Sequence, residues 1–152
     1  MATPYDIPWV YKGRPFDLTE DELKEYVGFV YRVTDLTNGV GYIGKKLFWR
    51  PKTLPITKKR KRRVKTKVQS DWQKYFGSSE QVKTLVEQGT PFKREILRLC
   101  RTKGECSYFE TKYQFDNDVL LSNDYYNEFI GCKIHAKHLG NMKEEYNRER
   151  ES

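Results

Sequence analysis

From Val27 to Thr34 the chain is almost continuously β-branched or aromatic, and after Asn38-Gly39 the same kind of pattern resumes from Val40 to Phe48. Asn-Gly between two such runs is the strongest short hairpin signal, so two antiparallel strands are expected here. With Asn38 and Gly39 as the turn pair, Tyr31 faces Lys46 across the ladder and Asp35 faces Tyr42. Side chains alternate with period two, which puts Tyr31, Val33, Tyr42, Gly44 and Lys46 on one surface. Further on, Ser79 caps a helix from about Glu80 to Gln88 that buries Val82, Leu85 and Val86, and Gly89 ends it. Phe92 to Cys100 alternates Phe92, Arg94, Ile96 and Arg98 against Lys93, Glu95, Leu97 and Leu99, and is read as a third strand. Thr102-x-x-Glu105 has capping-box form and opens a helix through about Phe115, with Cys106, Phe109 and Tyr113 along one stripe. Glu110 borders that stripe, so its carboxylate points toward the sheet.

The flanks read differently. Residues 1–26 form an aromatic, proline-rich arm with Pro4, Pro8 and Pro15, followed by a short helix capped by Thr19-x-x-Glu22. Its aromatic residues predict that it lies on the core. Residues 27–131 hold the patterned domain, and 132–152 form a charged extension whose last part suits an exposed helix.

Charge changes this picture at one place. The chain of 152 residues carries +8 at neutral pH, yet Lys45 to Lys67 alone holds twelve Lys or Arg and no acid, leaving −4 on the remainder. From Lys58 to Lys67, eight of ten residues are cationic, so a self-repelling loop ordered by an anion is expected. Lys58, Lys59, Arg60, Lys61, Arg62, Arg63, Lys65 and Lys67 are therefore candidate DNA contacts, binding phosphate without reading sequence. Trp49 and Trp72 flank the run, with base stacking open to Trp49 and core packing the expectation for Trp72. Three cysteines and no charged-then-apolar opening segment argue for a soluble intracellular protein with reduced thiols, and no run approaches a membrane span. Cys132-x-x-His135-x-x-His138 is tighter than the usual zinc-finger spacing and is read as structural rather than zinc-binding.

Phe29-Val30-Tyr31, then Tyr42-Ile43-Gly44 with ten residues between the two tyrosines, then Gly77-Ser78-Ser79, Phe92 to Leu97, Glu110 and Tyr126-Asn127, form an ordered set. In that set the chain resembles the GIY-YIG nuclease superfamily, in detail the small single-domain members of tailed bacteriophages. Phe29 stands where the first motif usually has glycine. The resemblance implies an α+β fold, a three-stranded antiparallel sheet flanked by helices, here with the arm and the basic loop added. It also implies a DNA endonuclease, of use in homing or DNA degradation and in the host cytoplasm if phage-encoded. Glu110 would bind one divalent cation, Mg²⁺ or Mn²⁺, Tyr31 would act as general base, and Tyr42 would assist it. Tyr75 and Asn127 match family positions near the scissile phosphate and in support of the site. The family's lysine selects Lys45, whereas strand parity selects Lys46. Its arginine falls near Arg50 and Lys52 by spacing, unless Arg60, Arg62 or Arg63 folds back. A nucleic-acid-binding protein on a nuclease scaffold, and a structure-specific recombination or repair nuclease, are the alternatives.

Overall fold

The computed structural model describes residues 3–59, 61–131 and 136–151. Its centre is a hairpin of β3 (Gly28–Asp35) and β4 (Gly41–Leu47), with β7 (Phe92–Cys100) antiparallel on the other side of β3. The arm extends this sheet. Its two short strands, β1 (Val10–Tyr11) and β2 (Arg14–Pro15), give the order β2-β1-β7-β3-β4, with β1 parallel to β7. Trp9 seals the junction, 1% exposed, with its indole N–H donated to the Trp72 carbonyl at 2.8 Å.

The hairpin keeps the expected parity but not the expected register. Tyr31 pairs with Gly44 and Val33 with Tyr42, two residues from the pairing that an Asn38-Gly39 turn predicts. The reason is Asp35. Its Oδ1 accepts from the Thr37 amide at 2.9 Å and the Thr37 hydroxyl at 2.6 Å, while Gly39 N–H closes onto the Asp35 carbonyl at 2.8 Å. A wider loop results. A slip of two residues changes every partner and no face, so Tyr31, Tyr42, Gly44 and Lys46 still share one surface.

On β7 the strict alternation fails at a bulge. Tyr31 pairs with Ile96 but Val30 pairs with Arg98, so Leu97 is extra and the faces exchange beyond it. Phe92, Arg94 and Ile96 lie on the tyrosine side, whereas Arg98 stands over the Phe109 ring at 3.7 Å on the opposite side.

Two apolar layers sandwich the sheet. Phe29, Tyr31, Val33, Phe48, Trp72, Phe76, Val82 and Val86 pack on one face with α1 (Glu20–Leu23) and α2 (Glu80–Glu87). Val30, Ile43, Cys100, Cys106, Phe109 and Val119 pack on the other under α3 (Lys103–Asp116). The caps are those of the sequence: Thr19 accepts from Glu22 N–H at 3.2 Å, Ser79 from Val82 N–H at 3.3 Å and Thr102 from Glu105 N–H at 3.1 Å. Cys100 and Cys106 are buried and unbridged. A last helix, α4 (Gly140–Glu151), follows a 3₁₀ turn at Ala136–Leu139, while Cys132 and His135 of the Cys-His spacing lie outside the described residues. No described helix is long and apolar enough to cross a membrane.

The basic stretch is not only a loop. Trp49–Leu54 (β5) and Val64–Gln69 (β6) pair as a separate two-stranded antiparallel ribbon, with the densest cations in the connection between them. Thr53, Val64, Thr66 and Val68 give it enough β-forming residues to pair despite its charge.

Candidate active site on the outer edge of β4

β4 is the last strand of the sheet, and its outward backbone groups are taken up by polar side chains and a returning segment rather than another strand. Gly41 N–H donates to the Asp124 carbonyl at 2.8 Å, and Tyr126 N–H donates to the Gly41 carbonyl at 2.7 Å. Asn127 clasps Ile43 from both sides, accepting its N–H at 3.0 Å and donating to its carbonyl at 2.8 Å. Gln114 of α3 donates to the same carbonyl at 2.9 Å. The Lys45 backbone N–H and ammonium both act on the Glu110 carboxylate to favour its charged form. An open strand edge is thereby closed to other chains, with the Glu110 carboxylate near its end.

Three phenols converge beside it. Tyr31 is 1% exposed, its ring edge-on to Tyr75 at 5.8 Å between centroids and tilted against Tyr42 at 6.4 Å. The Tyr42 hydroxyl lies 2.8 Å from Ser78 Oγ, and the Tyr31 and Tyr75 phenols lie near enough to perturb each other's ionisation. Burial pushes all three phenols above their ordinary value, Tyr31 furthest because it is the most deeply buried, with Tyr75 and Tyr42 adding to the rise. Gly77 permits this approach: its φ is +124°, and a methyl group there would stand 3.2 Å from the Tyr31 hydroxyl and 3.3 Å from the Tyr42 ring. A cleft of about 310 Å³ opens beside Tyr42, between Ser78, the first turn of α2 and Phe129.

Burial also raises the Glu110 carboxyl, and the Lys45 charge with its backbone N–H works against that rise. Its charge reaches both Tyr31 and Tyr42, raising each further. Among the described residues no three His, Cys, Asp or Glu side chains gather as a metal cluster. One partly buried carboxylate near phenols is an oxygen donor set suited to a hard, largely hydrated cation such as Mg²⁺, which keeps several waters.

The two lysines divide between the two faces of the sheet. Lys45 reaches α3, its ammonium 2.6 Å from Ser107 Oγ and close enough to Glu110 to lower it. Lys46 lies on the tyrosine face, 4.2 Å above the Tyr75 ring centroid and 2.6 Å from Asp71. Hydrogen bonding to Lys46 holds the Asp71 carboxyl below its usual range. Arg50 and Lys52 are exposed on β5, Arg62 and Arg63 are exposed in the connection just before Val64, and Arg60 lies outside the described residues.

Sequence reading missed Arg94. It is 3% exposed, donates to the carbonyls of Gln73, Tyr75 and Ile7, and stands over Trp9 and Phe76 at 4.9 and 4.4 Å. Burial without a carboxylate lowers it to about 10, so it stays charged at neutral pH. An arginine among the apolar positions of a central strand is the one signal that marks it beforehand.

The family model described as "Putative endonuclease segE, GIY-YIG domain" matches residues 9–130, most of the chain and every element of this site. No curated protein and no solved structure matches. With the motif tyrosines, the glycine turn, Glu110 and Asn127 drawn together on an α+β sheet, the chain belongs to the GIY-YIG nuclease superfamily.

Proposed function

We propose that this chain is a metal-dependent DNA endonuclease that hydrolyses phosphodiesters to leave a 5′-phosphate and a 3′-hydroxyl. The observation that supports it best is the convergence of Glu110, Tyr31, Tyr42 and Tyr75 at one sheet edge in a chain of this family. Glu110 is the residue to hold a single Mg²⁺ or Mn²⁺, by its donor chemistry. Bound there, the cation supplies Lewis-acid stabilisation of charge on the phosphate and favours ionisation of nearby oxygens.

The chain's own groups do the rest. Tyr31 accepts the proton of the attacking water. A buried phenol among phenols is protonated at neutral pH until positive charge reaches it, so its basicity is conditional on an occupied site. Tyr42, held by Ser78, orients the water, and Tyr75, edge-on against Tyr31, borders the phosphate. Lys45 and Lys46 are the candidate cations for the extra charge of the pentacovalent transition state, where electrostatic terms dominate. Asn127 acts as a positioning residue through Ile43. Lys58, Lys59, Lys61, Arg62, Arg63, Lys65 and Lys67 bind DNA phosphates, with Arg63 a contact of that set rather than of the reacting centre.

Supercoiled plasmid incubated with and without Mg²⁺, comparing the parent with Glu110→Gln, tests the reading. Metal-dependent nicking lost in the variant supports it. Salt-sensitive DNA binding with no cleavage by the parent on linear, nicked or branched DNA favours a binding protein on a nuclease scaffold. Cleavage confined to branched DNA assigns it to recombination or repair.

A further inference from the structure

The β5–β6 ribbon has a form that phosphate binding alone does not require. Six paired residues per strand span about 20 Å at the usual rise of ~3.4 Å per residue. Its base is bolted to the nuclease core. Trp49 donates its indole N–H to the Tyr26 carbonyl at 3.0 Å, Ser70 Oγ donates to the Leu47 carbonyl at 2.6 Å, and Trp72 donates to Gln69 at 3.0 Å. Beyond the base, residues 50–53, 64, 65 and 67 are exposed, and no third strand pairs with either edge among the described residues.

Cations occupy both faces. Lys67 and Lys65 sit opposite Pro51 and Thr53 on one side, and Arg50 and Lys52 project from the other. Lysine and proline on a free edge do discourage strand pairing between molecules. That role needs only a few such residues, whereas the ribbon and its connection hold ten Lys or Arg and no acid from Trp49 to Gln69. An isolated hairpin carrying such charge is marginal in water and gains from an anionic partner on both faces at once. A flat phosphate surface meets one face. A groove with phosphates on either wall meets two.

We infer that the ribbon enters the major groove of B-form DNA, so that the enzyme's substrate is duplex DNA read in part through groove shape; this rests on the nuclease reading above. The major groove is about 12 Å wide and admits a two-stranded ribbon. The groove walls take the cations of both faces. Ile56 and Val64, 61% and 42% exposed near the far end, are apolar groups suited to thymine methyls on the groove floor. A-form RNA offers the same phosphates, but its major groove is too narrow for side chains to read. The ribbon begins at Trp49, three residues after Lys46, which places the groove-binding element directly beside the tyrosine face.

The test is equilibrium binding by the parent protein in EDTA, where metal-dependent cleavage is silent. The probes are a duplex DNA, the same sequence as duplex RNA, and the duplex DNA with bulky groups on the pyrimidine C5 that fill the major groove. A variant with Lys58, Lys59, Lys61, Arg62 and Arg63 changed to Ser, all exposed, is measured beside it, with its thermal unfolding matched to the parent. Expected is binding to RNA and to filled DNA weaker by about tenfold or more than to plain DNA. The variant loses that discrimination, and its salt slope falls by up to about 4.5, near 0.9 per lost phosphate contact. Equal binding of all three duplexes overturns the groove assignment, and so does tighter binding of the single strand or of anionic vesicles when these are added as competitors. Discrimination without any cleavage in Mg²⁺ would sink the nuclease reading and leave the ribbon standing; cleavage without discrimination does the reverse.

Discussion

Tyr31 lies across Gly44, its partner in the β3–β4 ladder, so closely that a methyl group at Gly44 would stand 2.5 Å from the Tyr31 hydroxyl oxygen and 2.8 Å from the ring carbon bearing it. The glycine of the second motif is thus the floor under the tyrosine of the first. Trp9 and Phe29 pack against the same ring and leave it little room to retreat. Gly44→Ala should cost about 1–3 kcal/mol by overpacking and should lower cleavage far more, because the hydroxyl must move. A double-mutant cycle checks this. Tyr31→Phe removes the crowded oxygen, so adding it to Gly44→Ala should recover part of the lost stability in urea unfolding. Strict additivity of the two would overturn the contact.

Arg94 predicts a loss that charge alone does not restore. Its fork holds the carbonyls of Gln73 and Tyr75 and ties them to Ile7 of the arm, and one lysine ammonium cannot reach all three in that geometry. Arg94→Lys should destabilise by on the order of 3 kcal/mol and reduce cleavage through the displaced Tyr75. Unchanged urea unfolding with Arg94→Lys would show that the carbonyls do not depend on the fork.

Much of this was legible in the chain, and its failures share a cause. Face assignments on β3 and β4 depend on parity alone, so they survived a register error that a single side chain, Asp35, introduced at the turn. On β7 parity itself broke, because a one-residue bulge opposite Tyr31 leaves no mark in a pattern of alternating polarity. The ribbon was hidden by its charge, which outweighs in composition the β-forming residues that pair it. Gln114, Arg94 and Asp71 were missed because their partners are backbone carbonyls or a distant lysine, and such pairs exist only once the chain has folded. The tyrosines and Glu110 were visible because their order along the chain is itself the signal.

Glu110 predicts a pH-dependent stability of inverted sign. Its folded carboxyl titrates above the ordinary glutamate value of 4.5, so it favours the folded state at low pH, and that contribution is lost as pH rises through the raised value. In metal-free solution Glu110→Gln should therefore raise the unfolding temperature near neutral pH. The gain should shrink as pH falls toward 4.5 and vanish below it. Mg²⁺ should stabilise the parent and not the variant, since a ligand that binds only the folded form adds stability by mass action. Equal stabilisation of both by Mg²⁺ would place the cation elsewhere.

Lys45 and Lys46 can be told apart by how their loss interacts with metal and pH. Lys45 lowers the Glu110 carboxyl by its charge, so Lys45→Met should let burial push that carboxyl higher still. Its deficit should be largest on the acid side, where Glu110 is then protonated, and should fade with more Mg²⁺ or higher pH. Lys46 acts through other groups: it lies over Tyr75 and neutralises Asp71, whose charge otherwise raises Tyr75. Lys46→Met leaves Glu110 as it was, so its deficit should be insensitive to Mg²⁺. The size expected is about 10²-fold in kcat, typical of removing one preorganised charge from a transition state. Lys46→Met with Asp71→Asn separates the two parts of that loss, because it removes the stranded carboxylate without restoring the ammonium. Recovery in the double variant would mean that Lys46 serves to neutralise Asp71, whereas no recovery would put its charge at the phosphate. A metal-dependent deficit in Lys46→Met, or a metal-independent one in Lys45→Met, would exchange the two assignments.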